Sequence, residues 1–196
     1  MYAVVLTFAV AVWSAGLAAG SAGPPPFIDY AATARYVVHN NDWGSLASIS
    51  THPPFKGKPF TNVFSVSDGP VGNGTGVLYF FFSPLDVTVQ DLAVNPNASL
   101  SMSEVESGYC TSMKWDAEDP RCAKIVLSGK IVTVPQDETD FAKTALFSRH
   151  PIMAEWAKIQ THKFYFAKME IENVFVLDFF GGGKIVSPED YYNANI

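Results

Sequence analysis

The chain has 196 residues, of which 48% are apolar and 16% are charged, and its formal net charge is −6. This length and apolar content allow a substantial buried core, which argues against extensive disorder. The 13 Lys and Arg residues are scattered along the sequence and are outnumbered by 19 Asp and Glu residues. We therefore expect no direct contact with nucleic acid, because that function requires a concentrated basic surface.

The amino-terminal sequence is typical of a secretory signal peptide. Residues 1–22 contain no charged side chain, and Tyr2–Trp13 is almost continuously apolar. This apolar run is too short to span a bilayer, and the small residues that follow it resemble a cleavage region. We predict a signal peptide over 1–22 and a single domain over 23–196, without a membrane span. A buried N-terminal helix is the alternative.

Secretion determines how the cysteines and the Asn-x-Ser/Thr motifs are interpreted. Cys110 and Cys122 are the only cysteines, and an oxidising compartment favours a disulfide between them, with free thiols as the alternative. Asn73-Gly74-Thr75 and Asn97-Ala98-Ser99 are N-glycosylation sequons in stretches rich in Gly, Pro and Asn. Both stretches are predicted to be loops, so Asn73 and Asn97 are predicted to carry glycans.

The hydrophobic pattern changes along the chain from helical to strand-like. Apolar residues at spacings of three and four predict a helix over 28–40. Short runs of Ser, Val, Ile and aromatic residues follow, bounded by Pro and Gly, and are typical of an antiparallel sheet. The predicted strands are 45–50, 60–67, 76–82, 99–105, 123–134, 163–171 and 173–180. Two further helices are predicted over 137–148 and 151–158.

Two segments stand out within the predicted sheet. The run 77–82 is continuously apolar, so we expect a central strand that is covered on both faces. The preceding segment, 67–76, contains four glycines and is predicted to be a flexible loop. Neither this loop nor Gly181–Gly183 is expected to bind phosphate, because a strand or an extended segment, and not a helix, is predicted to follow each.

No constellation of side chains predicts catalysis or metal binding. The histidines lack the spacings of zinc ligands, and the sequence has no Gly-x-Ser-x-Gly nucleophile motif. His150 is expected to end a helix, where an imidazole can interact favourably with the helix dipole. Glu104 and Glu106 are expected on the solvated face of a strand. The four histidines are His39, His52, His150 and His162.

Several segments together resemble the CREG family of secreted cellular repressor proteins, over about residues 30–194. The segments that carry the resemblance are Trp43–Ser50, Ser67–Pro70, Arg149–Pro151, Phe164–Lys168, Val176–Gly182, Lys184–Val186 and Pro188–Asn193. The resemblance implies a mainly β, α+β fold, the FMN-binding split barrel of pyridoxamine phosphate oxidases. It also implies a homodimer whose flavin position is unused.

The same resemblance implies a secreted glycoprotein that reaches lysosomes through mannose-6-phosphate receptors and influences cell growth and differentiation. The sequons of this chain differ in position from those of vertebrate family members. The family positions are occupied here by Pro135, Glu170 and Asn193, the last without a following Ser or Thr.

Two functions from different classes remain, a non-catalytic glycoprotein and an FMN-dependent oxidoreductase. The phosphate of FMN carries roughly two negative charges that require Arg or Lys partners. Residues 59–113, which would form the floor of the flavin site in such a barrel, contain no Lys, Arg or His. We therefore predict no cofactor and no catalytic residue. The alternative would use Lys124, Lys130, Lys184 or backbone amides, and haem binding is supported by analogy of fold alone.

Overall fold

The computed structural model describes residues 23–196, and the predicted signal peptide lies outside the described residues. Seven strands form one antiparallel sheet with helices packed against it. The strands are β1 (Trp43–Ile49), β2 (Pro59–Ser65), β3 (Tyr79–Phe82), β4 (Asn97–Ser103), β5 (Lys124–Thr133), β6 (Tyr165–Leu177) and β7 (Lys184–Val186). The helices are α1 (Tyr30–His39), α2 (Val87–Val94), α3 (Tyr109–Ser112), α4 (Thr139–Arg149), α5 (Met153–Trp156) and α6 (Pro188–Asn193).

The strand order curls the sheet into a split barrel. The order is β2-β1-β4-β5-β6-β3, and β7 pairs with β6 beside this path. Phe64 of β2 packs against Phe82 of β3 with ring centroids 5.1 Å apart, so the first and last strands approach each other. The predicted fold, an antiparallel split barrel with a few flanking helices, is confirmed.

The main core lies inside the curl of the sheet. Alternate residues of the strands point into it, in accordance with the two-residue period of a strand. Val37 and Val38 of α1 join this core from one side. Burial of each large apolar side chain contributes about 1.5–3 kcal/mol relative to exposure. The strand residues between the buried ones form the outer face of the sheet.

Strand β3 corrects the expectation of a central strand. It stands last in the strand order and, among the described strands, pairs with β6 alone. Both of its faces are nevertheless covered, because Phe80 and Phe82 lie in the main core while Tyr79 and Phe81 pack in a second cluster with α4. The continuous apolar run therefore indicated a strand that is covered on both faces, but it did not indicate a central position in the sheet.

Strand β6 is one strand where the sequence predicts two. The predicted break falls at Glu172, and both Glu172 and the adjacent Asn173 are exposed. The pairing register shifts at this point, between Ser128 and Gly129 of β5, which indicates a β-bulge. A side chain at Gly129 would place Cβ 1.9 Å from the carbonyl oxygen of Glu170, so this close approach requires glycine.

The sequence analysis missed helices α2 and α6, and also the four-residue helix α3. Helix α2 begins after Asp86, whose side chain accepts a hydrogen bond from the Val89 amide. Helix α6 begins after Ser187, which accepts one from the Asp190 amide. The extended run predicted through Pro188 ends instead at Val186, because Ser187 and the following proline are a favourable helix start.

Candidate functional site

The outer surface of β1, β2 and β4 is a continuous face without charged side chains, which we call the outer sheet face. Its side chains are small or apolar, and each is exposed or half-exposed. The pairing register places Trp43 beside Ser65 and Ser45 beside both Val63 and Ser101. The residues of this face are Trp43, Ser45, Ala47, Ile49, Pro59, Thr61, Val63, Ser65, Asn97, Ser99, Ser101 and Ser103.

The three lysines considered as phosphate partners are distributed over β5 and β7. The ammonium group of Lys124 donates hydrogen bonds to the carbonyls of Asp119 and Cys122, each 3.1 Å long. Lys130 pairs with Glu172 at 3.2 Å. Lys184 is exposed on the short strand β7. Lys124 and Lys130, which stand at opposite ends of the β4–β5 pairing, therefore both have other partners.

The Gly-rich loop 67–76 is tied to helix α1. His39 Nδ1 lies 2.7 Å from a carboxylate oxygen of Asp68, and the Gly72 amide donates a 3.1 Å hydrogen bond to His39 Nε2. The Gly76 amide donates to the second Asp68 oxygen at 3.1 Å. Gly72 and Gly76 have φ values of 76° and 82°, a left-handed conformation that favours glycine.

Both sequons are accessible, although only one lies in a loop. Asn73 is exposed within the Gly-rich loop, and the Thr75 hydroxyl donates a 2.8 Å hydrogen bond to the Asp68 carbonyl. Asn97 is exposed but is the first residue of β4, opposite Lys130, where a loop was expected. Glycosylation at the two asparagines remains a prediction.

Cys110 and Cys122 are joined by a disulfide in the structure, and both are buried. Cys110 belongs to the short helix α3, while Cys122 precedes β5. The bridge thereby closes the polar loop between them over the end of the β4–β5 pair. Their pairing in the secreted protein is a prediction that chemistry must test.

The environment of Glu104 corrects the expectation of a solvated strand residue. Glu104 follows the end of β4, is only 3% exposed, and accepts a 3.0 Å hydrogen bond from the Ala123 amide. Burial raises the pKa of Glu104 to about 7, against that hydrogen bond, and the nearby charge of Asp178 adds to the rise. Glu106 instead accepts a 2.8 Å hydrogen bond from the Ser103 amide and closes a turn.

Asp178, just after β6, is the second buried carboxylate here. It is 9% exposed and accepts a 2.9 Å hydrogen bond from the Thr33 hydroxyl of α1. Burial raises the pKa of Asp178, and the hydrogen bond from Thr33 opposes that rise. The sequence analysis did not select Asp178, because its partners lie far away along the chain.

The histidines have structural partners. His150 follows α4 as its C-terminal cap, as predicted, and its Nε2 lies 2.9 Å from the Val66 carbonyl. His52 Nδ1 lies 3.0 Å from the buried Asp91. Within residues 23–196, no group of three or more His, Cys, Asp or Glu side chains is arranged to hold a metal ion. A search of the same residues finds no helix with the length and apolarity of a membrane span.

The fold defines a class of protein, the split barrel, which also occurs in a haem-binding protein. A haem-binding protein from Mycobacterium smegmatis is similar, with a TM-score of 0.63, 18% identity, and coverage of 86% of this chain and 60% of that one. The Agrobacterium tumefaciens protein Atu2129 has the same TM-score, also at 18% identity, covering 85% of this chain and 62% of that one. At such identities the similarity concerns the fold alone.

The sequence comparisons are more specific. The model of the family described as "CREG, beta-barrel" matches residues 25–193. Protein CREG1 of Gallus gallus is 46% identical and covers 97% of this chain and 98% of its own length. Human Protein CREG1 is 47% identical, covering 88% of this chain and 77% of its own length. The chain belongs to the CREG family.

Proposed function

We propose that this protein is a secreted glycoprotein without catalytic activity that regulates cell growth, differentiation or lysosomal function through protein contacts. The observation that carries the proposal is the absence of Lys, Arg and His from residues 59–113. This segment includes the whole of β2, β3 and β4. A flavin phosphate on these strands would lack cationic partners, and burial of an unpaired dianion is prohibitively costly.

The engaged lysines support the same conclusion. Lys124 and Lys130 are bound to carbonyls and to Glu172, respectively. Lys168, which lies opposite Tyr79 on the neighbouring strand, forms an ion pair with Glu138. Recruitment of any of these lysines by a phosphate would require the loss of an existing interaction. Binding of FMN by these lysines, as the alternative oxidoreductase would require, would therefore need a rearrangement of the existing interactions.

The outer sheet face supports a homodimer. An uncharged, partly apolar strand surface can pack against its own copy without burying unpaired charge. Trp43, Ile49 and Val63 supply the apolar area, and the serines between them allow close approach. Asn97 lies at the first residue of β4, so a glycan there would leave from the rim of this face.

Exposed sequons support secretion and delivery. Glycans at Asn73 and Asn97 would project into solvent and could be recognised by a receptor of the mannose-6-phosphate type. The predicted signal peptide would bring the chain into the compartment where both glycosylation and disulfide formation occur. The protein is accordingly proposed to be extracellular, with lysosomes as its destination.

Titration with FMN tests the non-catalytic proposal. The purified secreted protein is titrated with FMN and, as a matched control, with riboflavin, which lacks the phosphate, and quenching of flavin fluorescence is recorded. We expect no saturation by either ligand at micromolar concentrations. Micromolar binding of FMN in preference to riboflavin, abolished by Lys124→Met or Lys130→Met, would instead support the oxidoreductase.

A further inference from the structure

The two buried carboxylates open onto a cavity of about 340 Å³, which we call the carboxylate cavity. Glu104 and Asp178 both line it, although each side chain is more than nine-tenths buried. The segment Pro24–Phe27 forms another part of its wall. Glu104 lies at the end of β4 and Asp178 just after β6, so the fold itself brings the two acids together.

Each carboxylate keeps one oxygen without a hydrogen bond. Glu104 uses Oε2 for the Ala123 amide, and Asp178 uses Oδ2 for the Thr33 hydroxyl. Among the described residues, no donor reaches Glu104 Oε1 or Asp178 Oδ1. Neither free oxygen is sealed from solvent, so both can accept hydrogen bonds from a ligand in the cavity, and a bound cation would favour the charged form that burial disfavours.

Aromatic rings form two walls of the carboxylate cavity. Phe27 stacks on Phe179 with centroids 4.4 Å apart, and Tyr109 meets Trp115 edge-to-face at 5.9 Å. Such rings offer apolar contact for an alkyl chain and negative π-faces for a cation. The guanidinium of Arg121 lies 4.8 Å from the centre of the Trp115 ring, so the Trp115 face already has a cation, and the Phe27–Phe179 wall is the one left for the alkyl chain.

The neighbouring cations do not neutralise the pair. Arg121 also lines the cavity, but its guanidinium is bound by Asp119 at 2.6 Å and donates no hydrogen bond to Glu104 or Asp178. Lys124 donates to main-chain carbonyls, so it acts on Glu104 only at longer range. Two tyrosines also lie near Glu104: Tyr36 of α1, whose pKa is raised by burial and by the charge of Glu104, and Tyr109 of α3, which lines the cavity.

We infer that the carboxylate cavity binds a protonated primary amine, whose ammonium group donates hydrogen bonds to Glu104 and Asp178 while its alkyl chain packs against the aromatic walls. A primary ammonium has three N–H donors, which suits free carboxylate oxygens better than a quaternary ammonium does. A metal ion would find too few ligands, since the described residues include no third ligating side chain beside this pair. The ligand class includes lysine side chains of a partner and free polyamines.

Walls of the carboxylate cavity are held in place by the covalent structure. The Cys110–Cys122 disulfide connects the helix that carries Tyr109 to the segment that carries Arg121. Phe179 has a φ of 68°, which is unusual for a residue with a side chain, and its amide donates a 2.7 Å hydrogen bond to the Pro120 carbonyl. The site is therefore preorganised, which reduces the ordering that a ligand must impose.

The amine site predicts a defined pH dependence. Because the pKa of Glu104 is raised to about 7, acidification protonates it and removes one of the two charges that attract the ligand. The pKa of Asp178 is raised in the same direction by burial. Amine affinity should therefore be highest above pH 7 and should fall toward pH 5, so a ligand bound outside the cell would be released in an acidic compartment.

NMR titration of the ¹⁵N-labelled, secreted protein tests the inference. The probes are n-butylammonium chloride and n-butanol, which has a similar size without charge, at pH 7.5. We expect saturable shifts of the Trp115 indole N–H and the Ala123 amide with n-butylammonium only. Glu104→Gln and Asp178→Asn should each weaken binding at least tenfold, whereas Glu189→Gln, at an exposed position of α6, should not. Lowering the pH to 5.5 should also weaken binding at least tenfold.

Two further amines, putrescine and the lysine side-chain analogue Nα-acetyl-lysine methylamide, are then compared with n-butylammonium. Tighter binding of putrescine indicates a free polyamine as the ligand, and tighter binding of the analogue indicates a partner's lysine. Either result supports a primary-amine site. Equal responses to n-butylammonium and n-butanol would overturn the inference. So would unchanged affinity in Glu104→Gln, or a response to calcium chloride but not to the amine. Should a variant fail to fold, the comparison of the two probes in the unaltered protein decides by itself.

Discussion

Arg35 in the first helix donates a 3.0 Å hydrogen bond to the main-chain carbonyl of Tyr192 in the last helix. The same guanidinium donates to the Ala194 carbonyl at 3.3 Å and to the Gly74 carbonyl at 2.8 Å. A cation at the C-terminal end of α6 also interacts favourably with the helix dipole. This one buried side chain thus joins α1, α6 and the Gly-rich loop.

Replacement of Arg35 by methionine should destabilise the protein by about 3 kcal/mol, because three partly buried carbonyls lose charge-assisted hydrogen bonds. Urea unfolding followed by circular dichroism measures the change. Lys158→Met is the control, since Lys158 forms an exposed pair with Glu155 and should change stability by less than about 0.5 kcal/mol. Equal effects of the two substitutions would contradict the role assigned to Arg35.

Glu104 should make the protein more stable in acid than at neutral pH. Its pKa is about 7 when folded and near 4.5 when unfolded, so the native state holds the proton more tightly. Stability is therefore lost as the pH rises from about 4.5 to about 7, by up to about 3 kcal/mol. Below this window the contribution is constant, because both states are protonated.

The variant Glu104→Gln isolates this contribution. The glutamine can still accept the Ala123 hydrogen bond but does not titrate, so the variant should exceed the unaltered protein in stability at pH 8 and approach it at pH 4.5. Urea unfolding at both pH values measures the difference, and all other titrating groups are common to the two proteins. A stability difference independent of pH would show that Glu104 does not titrate as described.

The disulfide should stabilise the secreted protein against unfolding. A bridge between residues 12 positions apart is expected to contribute roughly 2–3 kcal/mol by restricting the unfolded chain. The double variant Cys110→Ser/Cys122→Ser should unfold at correspondingly lower urea, and mass spectrometry after alkylation without reduction should find no modified cysteine in the unaltered protein. Two alkylated cysteines in that experiment would refute the pairing.

Glycosylation at both sequons should be visible in the mass of the protein secreted from animal cells. Glycosidase digestion should lower the apparent mass, and Asn73→Gln and Asn97→Gln should each remove one of two steps. Both asparagines are exposed, so the substitutions themselves should leave folding intact. A secreted chain that already migrates at its polypeptide mass would contradict this prediction.

Local patterns in the sequence predicted most strand positions, but they could not predict which distant segments contact each other. The bounds of α1 and β5 differ from prediction by at most two residues at each end. Helix α2 was missed because Val87, Thr88 and Val89 are β-branched and resemble a strand, although Asp86 provides a cap.

The carboxylate cavity shows why part of the site could not be predicted from the sequence. Glu104 and Glu106 are two residues apart, so a strand through both would place two acids on one face, which resembles a solvated face. Glu104 is buried because β4 has ended by this point and because Ala123, 19 positions away, binds its carboxylate. Only the tertiary pairing of β4 with β5 brings these groups together, and no local pattern encodes that contact. In contrast, the absence of cations from residues 59–113 is visible in the sequence alone.

The measurement that tests the central proposal most directly is the visible absorption spectrum of the protein as secreted from animal cells. A split barrel that acts through its surface should show protein absorption alone, with no flavin band at about 450 nm and no haem band at about 400 nm. A stoichiometric band at either wavelength that persists through gel filtration would contradict the non-catalytic account.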